Sequence, residues 1–246
     1  MNATDDALTD DRLLGGRLRL LQPRHGYRAA IDPVLLAAAT PARAGDAVLD
    51  LGAGSGAAML CLAARVAGMV AVGLELQPEM VDLARRNVAL NTMTDRVRVE
   101  AGNLLAPPPT LRPESFDHVT TNPPYGTNGT APPDPARSIA HRETIPLAVW
   151  LRCAVRMVRH KGFLTLIQRA DRLDEILSCL KEFCGGIEII PLWPRAGVAA
   201  RRVVVRARKG VRTPLKLQPG LILHDEVGRY TPEAVAILRD AAPLFL

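Results

Sequence analysis

From residue 45 onward, short apolar runs rich in valine and leucine alternate with amphipathic stretches of helical period. That alternation restricts the chain to repeated β-α units around a largely parallel sheet. The runs at 47–51, 70–75, 97–101, 116–121, 163–168, 187–192 and 202–208 predict seven strands. The stretches at 56–67, 78–91, 145–160 and 172–183 predict helices on both faces, with Gly68, Gly162 and Gly185 as stop signals. Only the 194–200 connection separates the last two strands, so they are expected to pair as an antiparallel hairpin at one edge.

A chain of 246 residues suits one such α/β domain with short additions. The expected division is an N-terminal segment and short helix at 1–44, a core at 45–210 and a closing extension of the same domain at 211–246. The short helix, at 29–39, is expected to be interrupted near its start by Pro33. A strand at 221–224 and a helix at 232–240 are expected to close the domain. Hydrophobic residues make up 48% of the chain and aromatics only 4%, so the core must be built mainly from Ala, Val, Leu and Ile. No apolar run approaches the roughly 20 residues of a membrane span. The polar start, with Asp5, Asp6, Asp10 and Asp11, is the opposite of a secretory signal, and a cytoplasmic location is expected. The four cysteines form no C-x-x-C pair and read as reduced thiols, with no metal site expected.

The segment Val48-Leu49-Asp50-Leu51-Gly52-Ala53-Gly54-Ser55-Gly56 runs a hydrophobic strand into a glycine turn that opens a helix. Glycines there let the backbone turn sharply and approach a ligand closely, the context required for nucleotide binding. Glu75 ends the second strand, where a carboxylate can accept from both ribose hydroxyls. Asn103 follows the third strand and Asn122 the fourth, so four strand ends deliver polar groups to one edge of the sheet. An acid, three spaced glycines and a second-strand acid resemble the pattern of class I methyltransferases dependent on S-adenosylmethionine (SAM). That resemblance implies a Rossmann-like, seven-stranded, mostly parallel sheet with an antiparallel last strand. It also implies SAM as cofactor, with Asp50, Gly52, Gly54 and Gly56 facing its methionine part, Glu75 its ribose and Asn103 its adenine. Asn103 departs from the Asp often found at that position. A dehydrogenase shares the glycines and the ribose acid, but it gives no reason for the four residues after the fourth strand.

There the chain reads Asn122-Pro123-Pro124-Tyr125. A planar NH₂ nitrogen is a weak nucleophile because its lone pair is delocalised. Two acceptors, the Asn122 side-chain oxygen and the Pro123 carbonyl, would fix its N–H groups and favour the positive charge that develops on it. The two prolines restrict the backbone, and Tyr125 offers a stacking face. Such tetrapeptides are shared, by resemblance, among adenine-N6, some ribosomal guanine-N2 and release-factor glutamine methyltransferases.

Residues outside the tetrapeptide bear on that choice. The segments Leu14-Gly15-Gly16-Arg17-Leu18, Gln22-Pro23, Gly26-Tyr27-Arg28 and Ile31-Asp32-Pro33-Val34-Leu35-Leu36 precede the core without a separate helical domain of the release-factor kind. Together with the tetrapeptide and Gly228-Arg229-Tyr230-Thr231-Pro232, they resemble the bacterial tRNA-valine (adenine-N6) methyltransferases over almost the whole chain. Asp32 and Tyr27 either border the cofactor pocket or are ordinary helix-start residues. Between Ile189 and His224 there is no Asp or Glu, while Arg195, Arg201, Arg202, Arg206, Arg208, Lys209, Arg212 and Lys216 are all basic. This basic C-terminal hairpin is expected to meet tRNA phosphates or, alternatively, only solvent. The 126–137 loop is either a lid or a surface connection. The remaining alternative is a SAM-binding module without turnover.

Overall fold

The computed structural model describes residues 7–25, 28–125 and 145–244. Four parallel strands, β3 (Ala47–Leu51), β4 (Val70–Glu75), β5 (Val97–Ala101) and β6 (Phe116–Thr121), have the expected bounds. Beyond them β7 (Val158–Arg169), β8 (Cys184–Trp193) and β9 (Arg202–Lys209) are longer than expected. Two-residue strands β10 (Lys216–Leu217) and β11 (Leu221–Ile222) add to β8, giving nine strands in the order β10-β8-β9-β7-β6-β3-β4-β5, with β11 also on β8. The core of seven is thus extended by two short strands that the sequence showed only in part.

β8 and β9 pair antiparallel and form one end of the seven long strands as expected, with β9 on the inner side, between β7 and β8 and antiparallel to both. The reason is burial on two faces. Val203, Val205 and Ala207 join the core on one side of the sheet, and Val204 joins the core on the other. A strand that must hide both faces belongs in the interior of a sheet.

Helices α4 (Leu147–Met157) and α5 (Leu173–Leu180) cover one face, packing on Leu49, Leu51, Val119 and Leu166. The other face carries α1 (Asp32–Ala39), α2 (Ala57–Arg65), α3 (Pro78–Leu90) and α6 (Pro232–Leu238). Pro33 does not interrupt α1; it sits in the first turn, where a missing N–H costs nothing and a fixed φ favours the helix. All eight residues of α1 are buried.

An N-terminal hairpin, β1 (Leu8–Leu13) and β2 (Leu18–Pro23), was not legible as strands. It is held by side chains of α3 and of the residue just after it. Asn87 Oδ1 accepts from the Leu21 N–H at 2.7 Å and its Nδ2 donates to the Leu21 carbonyl at 2.9 Å. One turn along, Asn91 treats Arg19 the same way, at 2.9 and 2.7 Å. Two amides spaced four apart on one helix face thereby replace a neighbouring strand for alternate residues of β2.

Candidate active site

A cavity of about 310 Å³ opens at the carboxyl ends of β3 and β6. Asp50, Gly52, Gly54 and Ser55 form one wall, Asn122, Pro123, Pro124 and Tyr125 the opposite one. Pro23, His25 and Ala29 close the N-terminal side, and Trp150 of α4 forms part of the lining. The two motifs singled out from the sequence therefore face one space.

Asp50 lies 2% exposed, with one oxygen accepting from the Met59 N–H at 3.1 Å and the other from the Thr120 hydroxyl at 3.3 Å. Burial outweighs these bonds and pushes its carboxyl up to about 7, with the charge of Glu75 adding to the rise. Gly52 has φ +76°, and a Cβ there would stand 2.7 Å from the Trp150 ring. Trp150 is itself anchored, its Nε1 donating to Thr121 Oγ1 at 2.9 Å while that hydroxyl donates to the Leu51 carbonyl at 2.7 Å. The glycine turn is thus fitted to a specific ring on α4.

Three expected cofactor residues stand outside the cavity lining. Gly56 begins α2 and packs against Met59 and Ala84. Glu75 is buried, its Oε1 accepting from the Leu76 and Gln77 N–H groups at 2.9 Å and its Oε2 from the Gly54 N–H at 2.8 Å. A carboxylate has about four acceptor positions, so one remains for a hydroxyl. Asn103 caps its own turn by accepting from the Leu105 N–H at 2.9 Å.

The tetrapeptide is braced from distant parts of the chain. The Tyr125 hydroxyl donates to Asp32 Oδ2 at 2.7 Å, and Arg202 of β9 forms an ion pair with the other oxygen of Asp32. Behind the prolines, Gln168 of β7 donates from Nε2 to the Pro123 carbonyl at 3.3 Å. Asp32 is therefore more than a helix-start residue, for it joins α1, β9 and the tetrapeptide. Asp32 and Tyr125 also line a second, more open cleft of about 660 Å³ with Arg169, Arg201, Arg202 and His224. Neither Tyr27 nor the 126–137 loop is among the described residues.

A family model described as a methyltransferase domain matches residues 48–139. A tRNA1(Val) (adenine(37)-N6)-methyltransferase from Tolumonas auensis is 27% identical over 225 residues, 88% of this chain and 90% of the relative. The solved protein Atu636 of Agrobacterium tumefaciens, described as a predicted O-methyltransferase, superimposes with a TM-score of 0.74 at 29% identity, covering 87% of this chain and 98% of the other. The chain is a SAM-dependent methyltransferase. At the level of fold alone, the methyltransferase also matches TYW2 of P. horikoshii in complex with MeSAdo, with a TM-score of 0.57 at 14% identity, covering 82% and 71% of the two chains.

Sequence reasoning missed Trp150, Gln168 and the Asp32–Arg202 pair of the methyltransferase. Scarcity of aromatics could have drawn attention to Trp150, one of only two tryptophans; the others carry no local signal. The basic stretch needs correction as a continuous surface. Arg202 pairs with Asp32, Arg206 with Glu188 and Lys209 with Glu114, while Arg208 lies over the Phe163 ring. The acids are absent from the stretch itself but are supplied by neighbouring elements. Among the described residues, no helix is long and apolar enough to cross a membrane, and no group of three or more His, Cys, Asp or Glu is placed to hold a metal.

Proposed function

We propose that the protein transfers the methyl group of SAM to N6 of an adenine in tRNA. The observation that carries this reading is the single cavity bounded by the glycine turn on one side and the Asn122–Tyr125 segment on the other. Its volume lies at the lower end of the range for small-molecule sites. Gly54 has φ +55°, and a Cβ placed on it would meet nothing nearer than the Met80 methyl at 4.0 Å, which leaves open space where a ligand can approach the backbone. These features fit SAM, which when bound supplies an electrophilic methyl group on a positively charged sulfur.

The chain contributes orientation and electrostatics. Asp50 and the 52–56 turn hold the methionine part, and the last acceptor position on Glu75 takes a ribose hydroxyl. Asn103, already capping a turn, keeps an amide for the adenine. At the acceptor side, Asn122 and the Pro123 carbonyl take the two N–H groups of the target nitrogen. Charge developing on that nitrogen then meets two fixed acceptors. The target ring stacks on Tyr125, whose angle is set by Asp32.

The tRNA part of the reading is supported by the names of relatives aligned along most of the chain, the Tolumonas auensis protein among them. The cleft beyond Tyr125, which shares that residue with the cavity and is lined by Arg169, Arg201 and Arg202, would take the nucleotides next to the target. Within the basic C-terminal hairpin, Arg195, Arg201, Arg212 and Lys216 remain to meet phosphates. This reading takes residues 45–210 as the catalytic core, 1–44 and 211–246 as its additions, and the cytoplasm as the place of action.

Labelled SAM incubated with unmodified tRNA, ribosomal RNA and release factor tests the proposal. N6-methyladenosine in tRNA is the expected product. Label confined to ribosomal guanine or to a protein glutamine would overturn the choice of acceptor, and SAM binding without turnover would overturn the enzyme reading.

A further inference from the structure

β6 and β7 run parallel and pair as far as Thr121 and Leu166. Beyond that point β7 continues through Ile167, Gln168 and Arg169, paired on its other side to β9, while the chain from β6 becomes Asn122-Pro123-Pro124. Prolines carry no N–H, so the ladder between the two strands cannot extend. The side chain of Gln168 fills the gap. Its Oε1 accepts from the Arg169 N–H at 2.9 Å and its Nε2 donates to the Pro123 carbonyl at 3.3 Å. Gln168 is 0% exposed and is absent from the cavity lining, whereas Pro123 is part of it.

We propose that Gln168 is a positioning residue for methyl transfer: its amide fixes the Pro123 carbonyl so that the second lone pair stays directed at an N–H of the acceptor. This rests on the proposed role of that carbonyl as an acceptor. A carbonyl oxygen has two lone pairs, so a donor from behind does not compete with one from the cavity. Its effect is to remove freedom from a backbone segment that follows the end of a strand. Catalysis by fixed dipoles depends on such preorganisation.

Three substitutions separate this role from simple packing. Gln168→Leu removes both bonds. Gln168→Glu keeps an acceptor for the Arg169 N–H, but when ionised it turns an acceptor toward the Pro123 carbonyl; when protonated it donates again. Gln168→Asn keeps the chemistry on a shorter side chain. The measurements are thermal unfolding, SAM affinity by calorimetry, and kcat and KM on tRNA between pH 6 and 8.5, with the Pro123 carbonyl ¹³C resonance as a readout independent of turnover.

The expected result is a fall in kcat of about tenfold or more for Gln168→Leu, with SAM affinity within about twofold of wild type and a shifted Pro123 resonance. For Gln168→Glu, the deficit relative to wild type should shrink several-fold as pH falls, and it should be flat with pH for Gln168→Leu. Folded, SAM-binding Leu and Glu variants with wild-type kcat would overturn the proposal. So would a Glu deficit that does not depend on pH, or a Pro123 resonance unmoved in every variant. If wild-type protein methylates no planar NH₂ group, the underlying reading fails and this inference falls with it; wild-type turnover with fully active variants removes the Gln168 role alone.

Discussion

The two walls of the cavity are built over very different distances in the chain. On the glycine-turn side, Asp50, Gly52, Gly54 and Ser55 belong to one strand-turn-helix unit, and Asp50 is tied to Met59 at the first turns of the following helix. On the tetrapeptide side, Tyr125 is tied to Asp32 across 93 positions, Asp32 to Arg202 across 170, and Pro123 to Gln168 across 45. A local unit can shape a cofactor site by backbone conformation alone. The proposed acceptor site, which on that reading holds an incoming nitrogen at a defined angle, draws its ties from elements folded around it.

The largest expected effect breaks the division between the walls. Asn122→Ala should lower turnover about 100- to 1,000-fold, as for loss of a transition-state hydrogen bond, and leave SAM affinity within about twofold. Initial rates and calorimetric titration on the same preparation check this; an undiminished rate removes Asn122 from the chemistry. Next, Arg202→Met strips one partner from the largely buried Asp32 and should cost about 3 kcal/mol of stability, read by denaturant unfolding. Turnover should fall with it while the folded fraction retains SAM binding. Equal losses of SAM binding and turnover would mean that the two walls are not separable.

Within the glycine wall, Gly52→Ala and Gly54→Ala sharpen the comparison. Both residues have positive φ, but only at Gly52 does an added Cβ meet the Trp150 ring, at 2.7 Å. Gly52→Ala should therefore cost about 2 kcal/mol or more and weaken SAM binding, and Gly54→Ala about 1 kcal/mol. Matching melting temperatures for the two variants would deny Trp150 its part in the turn.

The smallest effect concerns pH. The Asp50 carboxyl is raised by burial from an ordinary 3.8 to about 7. Between these values the folded protein holds a proton that the unfolded chain has released, so the contribution of Asp50 to stability declines as pH rises from about 4 to about 7. Cationic SAM prefers the ionised form, so its affinity should fall as pH drops from 8 to 6, by at most about tenfold. Asp50→Asn should flatten that dependence in a calorimetric pH series, and an unchanged slope would place the titrating group elsewhere.

How far the fold was legible follows the same contrast. The strands from Ala47 to Thr121 were readable to the residue because each is a short stretch rich in apolar or β-branched residues and bounded by turns. The β1–β2 hairpin was not, because Asn87 and Asn91 hold it and nothing near Leu21 or Arg19 announces those partners. The interior place of β9 was also hidden. Its arginines suggested a hairpin facing phosphates or solvent, whereas Asp32 and Glu188 meet Arg202 and Arg206 from other elements, and Val203, Val204 and Val205 are buried on both faces of the sheet.

By itself the sequence determined that this chain folds as an α/β methyltransferase, with a glycine turn and an Asn-Pro-Pro-Tyr segment at ends of strands. Periodicity, glycine conformation and the missing proline N–H are properties of neighbouring residues, and they act wherever those residues occur. Only the tertiary structure decided that Trp150 fits against Gly52, that Asp32 links Tyr125 to Arg202, and that Gln168 stands behind the Pro123 carbonyl. Those contacts exist because sheet order brings β7 and β9 beside β6, and strand order is set by burial of whole faces, which no local stretch of sequence records.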